Sequence, residues 1–400
     1  MRKPFLIPLL LGLLLTPVRS QSSFSEVSLD VPVEEIRLPL PSGPYPVGTI
    51  SYHWIDRTRE EQWTAEPHDF RQLMVQFWYP AKNQDVRQEA PYIPDLDRLR
   101  SSIDQYWPDR PSVHTNATAG AALSATGKQY PVIIFSHGMN SARFRYTAIV
   151  EELASHGYVV AAIDHTYWGP GVAFPGGKTV RLEEGMIARD KLSSDDIDRI
   201  MQQGITVMAA DQNFVAQKLV ALNEGARSSS NLFSHRLDLS NVGVMGHSMG
   251  GMAATRACLE YTAFKACVSL DGPNYFLNMM PASSAKPFLL LLNSDWGLDA
   301  PERIKKSYLE AWTNPLVAII HGAKHNNFSD IPLTTSPAGM AGVIAPARAH
   351  RIISAYVVAF FDRTLRGVPT ILFEKSAGEF PEVEFIDLKA LAKRSPVSKR

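Results

Sequence analysis

The stretch NVGVMGHSMGGMAATRACLEY, residues 241–261, decides how the rest of the chain is read. Residues 242–245 are a short apolar run suited to a buried strand. Gly246-His247-Ser248-Met249-Gly250 fits G-x-S-x-G, and 251–261 reads as a helix rich in small residues. A serine hydroxyl on a sharp turn at the C-terminal end of a strand faces substrate, and bulky flanking side chains would collide with the strand and the helix. The helix start brings backbone N–H groups and a positive dipole end beside the reacting oxygen. Ala253, Ala254 and Ala257 let that helix lie close to a sheet. Ser248 is therefore the candidate nucleophile. The plainer alternative is an ordinary glycine-rich strand–helix turn.

On both sides of this stretch, strands and helices alternate. Residues 132–135 and 158–163 read as strands, separated by a helix over 143–155 that Gly157 ends. An irregular excursion over 164–190 carries Trp168 and Phe174, and a long helix follows over 195–222. Strands at 266–270, 288–292 and 316–320 come next, with helices near 301–312 and over 348–366. Upstream, 49–54 and 72–79 read as paired strands. Residues 81–129 hold Pro91, Pro94, Pro108 and Pro111 without periodicity and read as an insert. The pattern is α/β, with a mostly parallel sheet covered by helices on both faces. Reactive groups then belong at the C-terminal ends of the strands. The expected organisation is a signal peptide over 1–20, a loose lead-in over 21–45, one domain over 46–366 and a tail over 367–400.

Composition narrows the partners. Forty basic residues balance forty acidic ones, so nothing points to nucleic acid, and 45% hydrophobic residues suffice for a large core. Arg2 and Lys3 precede an apolar run over 5–15, and a small residue at Ser20 suits cleavage. A secreted or periplasmic protein is expected. Cys258 and Cys267 read as buried free thiols, and no Cys/His spacing suits zinc.

A serine needs a base that a third group orients. After Ser248 the histidines are His321, His325 and His350. His325 falls in a short loop after the last core strand, at the correct sheet edge, and is the expected base. His350 lies inside an amphipathic helix, and His247 is expected to point into the sheet. Asp271 and Asp295 each end a strand, and both satisfy the order Ser…Asp…His. Oxyanion donors are expected from the Met249 N–H and, after His137-Gly138, from the Met139 N–H. Trp168, Phe174, Tyr275, Phe276 and Met279 follow strand ends around the elbow and are expected to line an acyl pocket, with loop packing as the alternative.

GPYPVGT (43–49), FSHGM, ASHGYVVAAIDH (154–165), GHSMGG (246–251), SLDGPNYF (269–276), LLLNSDW (290–296) and GAKHNNFSD (322–330) occur in order. On these pieces the chain resembles the plasma-type platelet-activating factor acetylhydrolases, the lipoprotein-associated phospholipase family of α/β-hydrolases. The resemblance implies an α/β-hydrolase fold and a calcium-independent serine esterase that removes short or oxidised sn-2 acyl groups, with no cofactor and no metal. It assigns Ser248 as nucleophile, Asp271 as acid, His325 as base, and Met139 and Met249 as oxyanion donors. The commoner α/β-hydrolase arrangement would place the acid one strand later, at Asp295 or Asp299. The loop after Asp271 and the excursion after Asp164 differ from the family pattern, which leaves substrate choice open. Two further readings are a broader carboxylesterase, cutinase-like or polyester-degrading, and a non-catalytic binding module on a hydrolase scaffold. The expected partner is a small-molecule or lipid ester. Oligomeric state and contact with a lipid surface are left open.

Overall fold

A computed structural model describes residues 35–64, 66–83, 88–108, 110–182, 193–225, 231–272, 284–296, 311–335, 341–374 and 378–388. Its strands are β1 (Glu35–Arg37), β2 (Val47–Glu60), β3 (Phe70–Pro80), β4 (Ser112–His114), β5 (Ala117–Ala119), β6 (Tyr130–Ser136) and β7 (Val159–Asp164). They continue as β8 (Val172–Ala173), β9 (Thr179–Val180), β10 (Leu237–His247), β11 (Ala266–Leu270), β12 (Phe288–Asn293), β13 (Leu316–Ile320) and β14 (Val383–Phe385). Ten of them form one sheet in the order β14-β13-β12-β11-β10-β6-β7-β3-β2-β5. The stretch from β13 to β7 is parallel, and antiparallel pairs flank it at β7–β3, β3–β2 and β13–β14.

The period-2 pattern of β6 shows why the sheet sits where it does. Val132 and Ile134 join one apolar cluster and Ile133 and Phe135 the other, all fully buried. Each such side chain contributes about 1.5–3 kcal/mol by leaving water. The first cluster includes Met208, Val215 and Leu219 of the helix Ser194–Glu224 and Ala253, Ala254 and Ala257 of the helix Met249–Glu260. The second includes Ile149, Val150 and Leu153 of the helix Thr147–Ser155 and Ile352, Val357 and Phe361 of the helix Pro346–Leu365. A strand buried on both faces cannot show polar alternation, which is why these strands read as unbroken apolar runs.

Several boundaries differ from the sequence-based expectation. The long helix starts at Ser194 under a capping box between Ser193 and Asp196. The expected helix over 143–155 is a 3-10 turn, Arg143–Tyr146, running into Thr147–Ser155. The stretch 81–129 contributes the helix Leu96–Tyr106 and β5, which pairs with β2 at the sheet edge. The tail contributes β14, so the sheet runs past residue 366. The described residues belong to one compact unit. Residues 1–34, and with them the expected signal peptide, lie outside the described residues, as does most of the expected helix near 301–312. Among the described residues no helix is long and apolar enough to cross a membrane.

Candidate active site

Strand β10 ends at His247, and the next residue leaves every ordinary conformation. Ser248 has φ 54 and ψ −123, and it is the N-cap of the helix Met249–Glu260. A backbone in such a sparsely populated region costs about 1–3 kcal/mol and persists only where its surroundings over-determine it. Here they do. The Ser248 N–H donates to Leu270 O at 2.8 Å, and Ser248 O accepts from Met252 N–H at 3.0 Å. The elbow also needs its glycines: a Cβ on Gly250 would lie 2.3 Å from the Ser136 carbonyl oxygen. A side chain there would force strand and helix apart.

Asp271 follows the neighbouring strand β11 and also adopts positive φ, at 46°. Its buried carboxylate accepts from the Asn293 N–H at 3.0 Å, from Asn293 Nδ2 at 2.6 Å and from His325 Nδ1 at 2.5 Å. Burial by itself would raise its pKa, but the hydrogen bonds from His325 and Asn293 outweigh it and hold the carboxyl below the usual carboxylate range. His325 opens the 3-10 turn His325–Phe328 after β13, and its side chain keeps 37% exposure. The Asn327 side chain braces that turn by accepting the Lys324 and Gly342 N–H groups, both at 2.8 Å.

His247 is buried beside His325, with ring centroids 4.5 Å apart. Burial first, and then the adjacent His325, push its pKa well below the ordinary value, so it is neutral. Its Nε2 lies 3.1 Å from the His325 carbonyl, which can only accept, so Nε2 carries the proton. Nδ1 therefore accepts from the Tyr146 hydroxyl at 2.9 Å, and that oxygen accepts from the Gly138 N–H at 3.1 Å. Ligand atoms of His247, Asp271 and His325 lie within 4.8 Å of one another. Hydrogen bonds already engage both His247 nitrogens and the Nδ1 of His325, so this group does not fit a metal without giving them up.

The loop after β6 runs against the serine. A Cβ on Gly138 would stand 3.1 Å from Ser248 Cβ. Among the described residues no hydrogen bond engages the Met139 N–H, next in the chain after Gly138, or the Met249 N–H, next after Ser248. Trp168 and Phe174 are completely buried. Trp168 packs on the long helix, where a Cβ on Gly204 would strike its ring, and its carbonyl accepts the Asn140 N–H at 2.8 Å. Phe174 packs with Met74, Tyr167 and Val180. These placements favour packing over acyl contact for both. Tyr275, Phe276, Met279 and Asp299 lie outside the described residues. Asp295 is exposed, and its N–H donates to Asn293 Oδ1. His321 is exposed beside Glu384, and His350 lies near Ser354. Asn293 and Tyr146 escaped sequence reading. Asn293 was visible as a polar residue closing an apolar strand, whereas Tyr146 meets His247 across 101 positions with no local signal. Cys258 and Cys267 are buried and free.

A strained serine between a strand and a helix, at the C-terminal edge of a mostly parallel sheet, defines an α/β-hydrolase. The family model described as platelet-activating factor acetylhydrolase, isoform II, matches residues 32–169 and 202–367, and the chain belongs to that family. It is 24% identical to a probable 1-alkyl-2-acetylglycerophosphocholine esterase of Arthroderma benhamiae, covering 88% of this chain and 94% of that one. It is 25% identical to the platelet-activating factor acetylhydrolase of Gallus gallus, covering 82% and 84%. Among solved structures, a ferulic acid esterase from Streptomyces cinnamoneus superimposes with a TM-score of 0.70 at 28% identity, covering 88% of this chain and 99% of that one. The protein is a serine ester hydrolase.

Proposed function

We propose that this enzyme is exported and cleaves short-acyl, sn-2-type glycerophospholipid esters through Ser248, His325 and Asp271. The observation that carries the reading is the hydrogen-bonded His325–Asp271 pair at the sheet edge where Ser248 is strained outward. Ser248 Oγ attacks the ester carbonyl while His325 Nε2 takes its proton, and Asp271 holds the imidazole tautomer and stabilises the imidazolium. The Met139 and Met249 N–H groups receive the oxyanion. Collapse breaks the C–O bond, His325 protonates the departing alcohol, and water enters by the same steps in reverse to free the acid. Residues 1–20 act as a cleaved signal peptide in this reading, which N-terminal sequencing of the exported protein checks.

A serine-directed phosphonate should label Ser248, and Ser248→Ala should lose labelling together with turnover, by about a million-fold as in other serine hydrolases. Equal labelling of the Ala variant would overturn the assignment. The likeness to a ferulic acid esterase favours a second reading, a broader carboxylesterase. Rates on a short-acyl phospholipid, its long-acyl analogue, simple short esters and a feruloyl ester separate the two. A preference for the short-acyl phospholipid supports the first.

A further inference from the structure

We propose that His137 is a positioning residue of the oxyanion hole, fixing the Gly138–Met139 peptide through its Nδ1–H. The inference rests on the reading of Met139 as an oxyanion donor and adds what aims that donor. The Gly138 carbonyl and the Met139 N–H belong to one peptide unit. In a trans peptide they point in opposite directions, so whatever holds the carbonyl aims the N–H. The Gly138 carbonyl lies 2.7 Å from His137 Nδ1 and accepts a second bond, 3.1 Å long, from the Ser141 N–H.

The proton on His137 Nδ1 follows from the neighbouring bonds. The backbone N–H of His165 points at His137 Nε2, 3.1 Å away, and a backbone N–H can only donate. Nε2 must therefore accept, which leaves the proton of the neutral ring on Nδ1, facing Gly138 O. Burial, and then nearby His165, push His137 down to about 3, which keeps the ring neutral at working pH. Donation to the carbonyl also polarises the peptide and strengthens its N–H as a donor.

What holds His165 is a second Ser–His–Asp array, wholly buried. Ser136 Oγ lies 2.8 Å from His165 Nε2, and His165 Nδ1 lies 2.8 Å from Asp211 Oδ2, with all three residues at 0% exposure. Ser136 Oγ also accepts from Gln212 at 2.7 Å, so its proton goes to the imidazole. Asp211 is clamped in turn by the Nε and Nη2 of Arg71, one to each carboxylate oxygen. No substrate reaches this serine. The array instead anchors the segments on either side of His137, because Ser136 precedes it in the chain and the His165 backbone meets its far nitrogen.

The test compares His137→Gln with His137→Asn. The glutamine keeps an acceptor for the His165 N–H and loses the Nδ1 donor. The asparagine places an amide N–H close to where Nδ1 stood. Turnover of His137→Gln should fall by tens to hundreds of fold, approaching the loss of about 10²–10³ seen when an oxyanion donor is removed. His137→Asn should recover a large part of it. Each variant is assayed on an ester and its thionoester, whose sulfur is a weak acceptor and gains little from the hole. A misaimed donor slows the ester more than the thionoester, whereas general loosening slows both alike. An unchanged ester-to-thionoester ratio in His137→Gln would overturn the proposal. So would a histidine 15N spectrum of the wild-type protein that puts the His137 proton on Nε2, a measurement independent of how the variants fold. Phosphonate labelling of wild type at Ser248 separates the two readings. Labelling with an unmoved ratio sinks the His137 proposal alone, while absent labelling sinks the Ser248 assignment beneath it.

Discussion

His325 Nδ1 and Asp271 Oδ2 lie 2.5 Å apart although 54 positions separate them in the chain. The contact exists because β11 and β13 end at the same edge of the sheet with β12 between them. Asn293, at the end of β12, fills that gap and donates twice to the carboxylate. Asp271→Asn should therefore lower turnover by about ten-thousand-fold, as for a triad acid whose loss allows the wrong imidazole tautomer. Asp295→Asn, at an exposed position, should change it by less than about three-fold, the ordinary range for a surface substitution. Steady-state kinetics of the two variants side by side decide the matter, and the opposite ranking would move the acid to the later strand.

Two glycines near the serine should behave differently. The Cβ of Gly138→Ala would press Ser248 Cβ from 3.1 Å, a contact relieved when the serine shifts by a few tenths of an ångström. Turnover should drop by about ten-fold in a protein that still folds, since misplacement by 1 Å costs about a hundred-fold. In Gly250→Ala the Cβ would meet backbone at 2.3 Å, and the melting temperature or soluble yield should collapse instead. Thermal melts with kinetics on the surviving protein distinguish the two.

Acid should find the Arg71–Asp211 pair. Burial by itself would raise the Asp211 pKa, but Arg71, His165 and Arg59 overwhelm it and depress the carboxyl far below its ordinary value. A depressed folded pKa means stability that is fully present above the unfolded value of about 3.9 and lost as pH falls toward the folded one. Asp211→Asn should lose about 3 kcal/mol at pH 7, because it leaves buried Arg71 with Glu61 as its remaining carboxylate and takes the anion from Arg59 and His165 as well. Its stability should also depend less on pH below 4. Urea unfolding of both proteins at pH 7 and pH 3 measures the two effects. Parallel pH curves would show that the pair contributes no acid sensitivity.

The free thiols give a simpler expectation. Cys258 and Cys267 are fully buried, and burial raises the Cys267 pKa well above that of a free thiol. A thiol reagent should leave the native protein unmodified for hours and modify two sulfurs after denaturation. Rapid native reaction would mean that the elbow helix opens from the sheet.

The chain by itself determined whatever depends on neighbours a few residues away. The elbow around Ser248 was legible because it is local: the strand residues, the glycines that permit contact and the helix start all lie within one continuous stretch. His325 was legible as a candidate for a similar reason, since it lies in a short loop after a recognisable strand. The parallel sheet showed in unbroken apolar runs, which only strands buried on both faces produce.

Tertiary structure decided what depends on the order of strands and the proximity of distant loops. Asp271 and Asp295 both end strands, and only the packing of β11, β12 and β13 puts the first on His325 and leaves the second in solvent. The edge strands β5 and β14 are three residues each, too short to show a period, and pairing alone makes them strands. Trp168 and Phe174 look like pocket residues in a loop until the helices and the β8–β9 hairpin close over them. The array from Asp211 through His165 to His137 has no signature in the chain. Its hydrogen bonds join segments dozens of residues apart, and burial rather than spacing determines which nitrogen carries each proton.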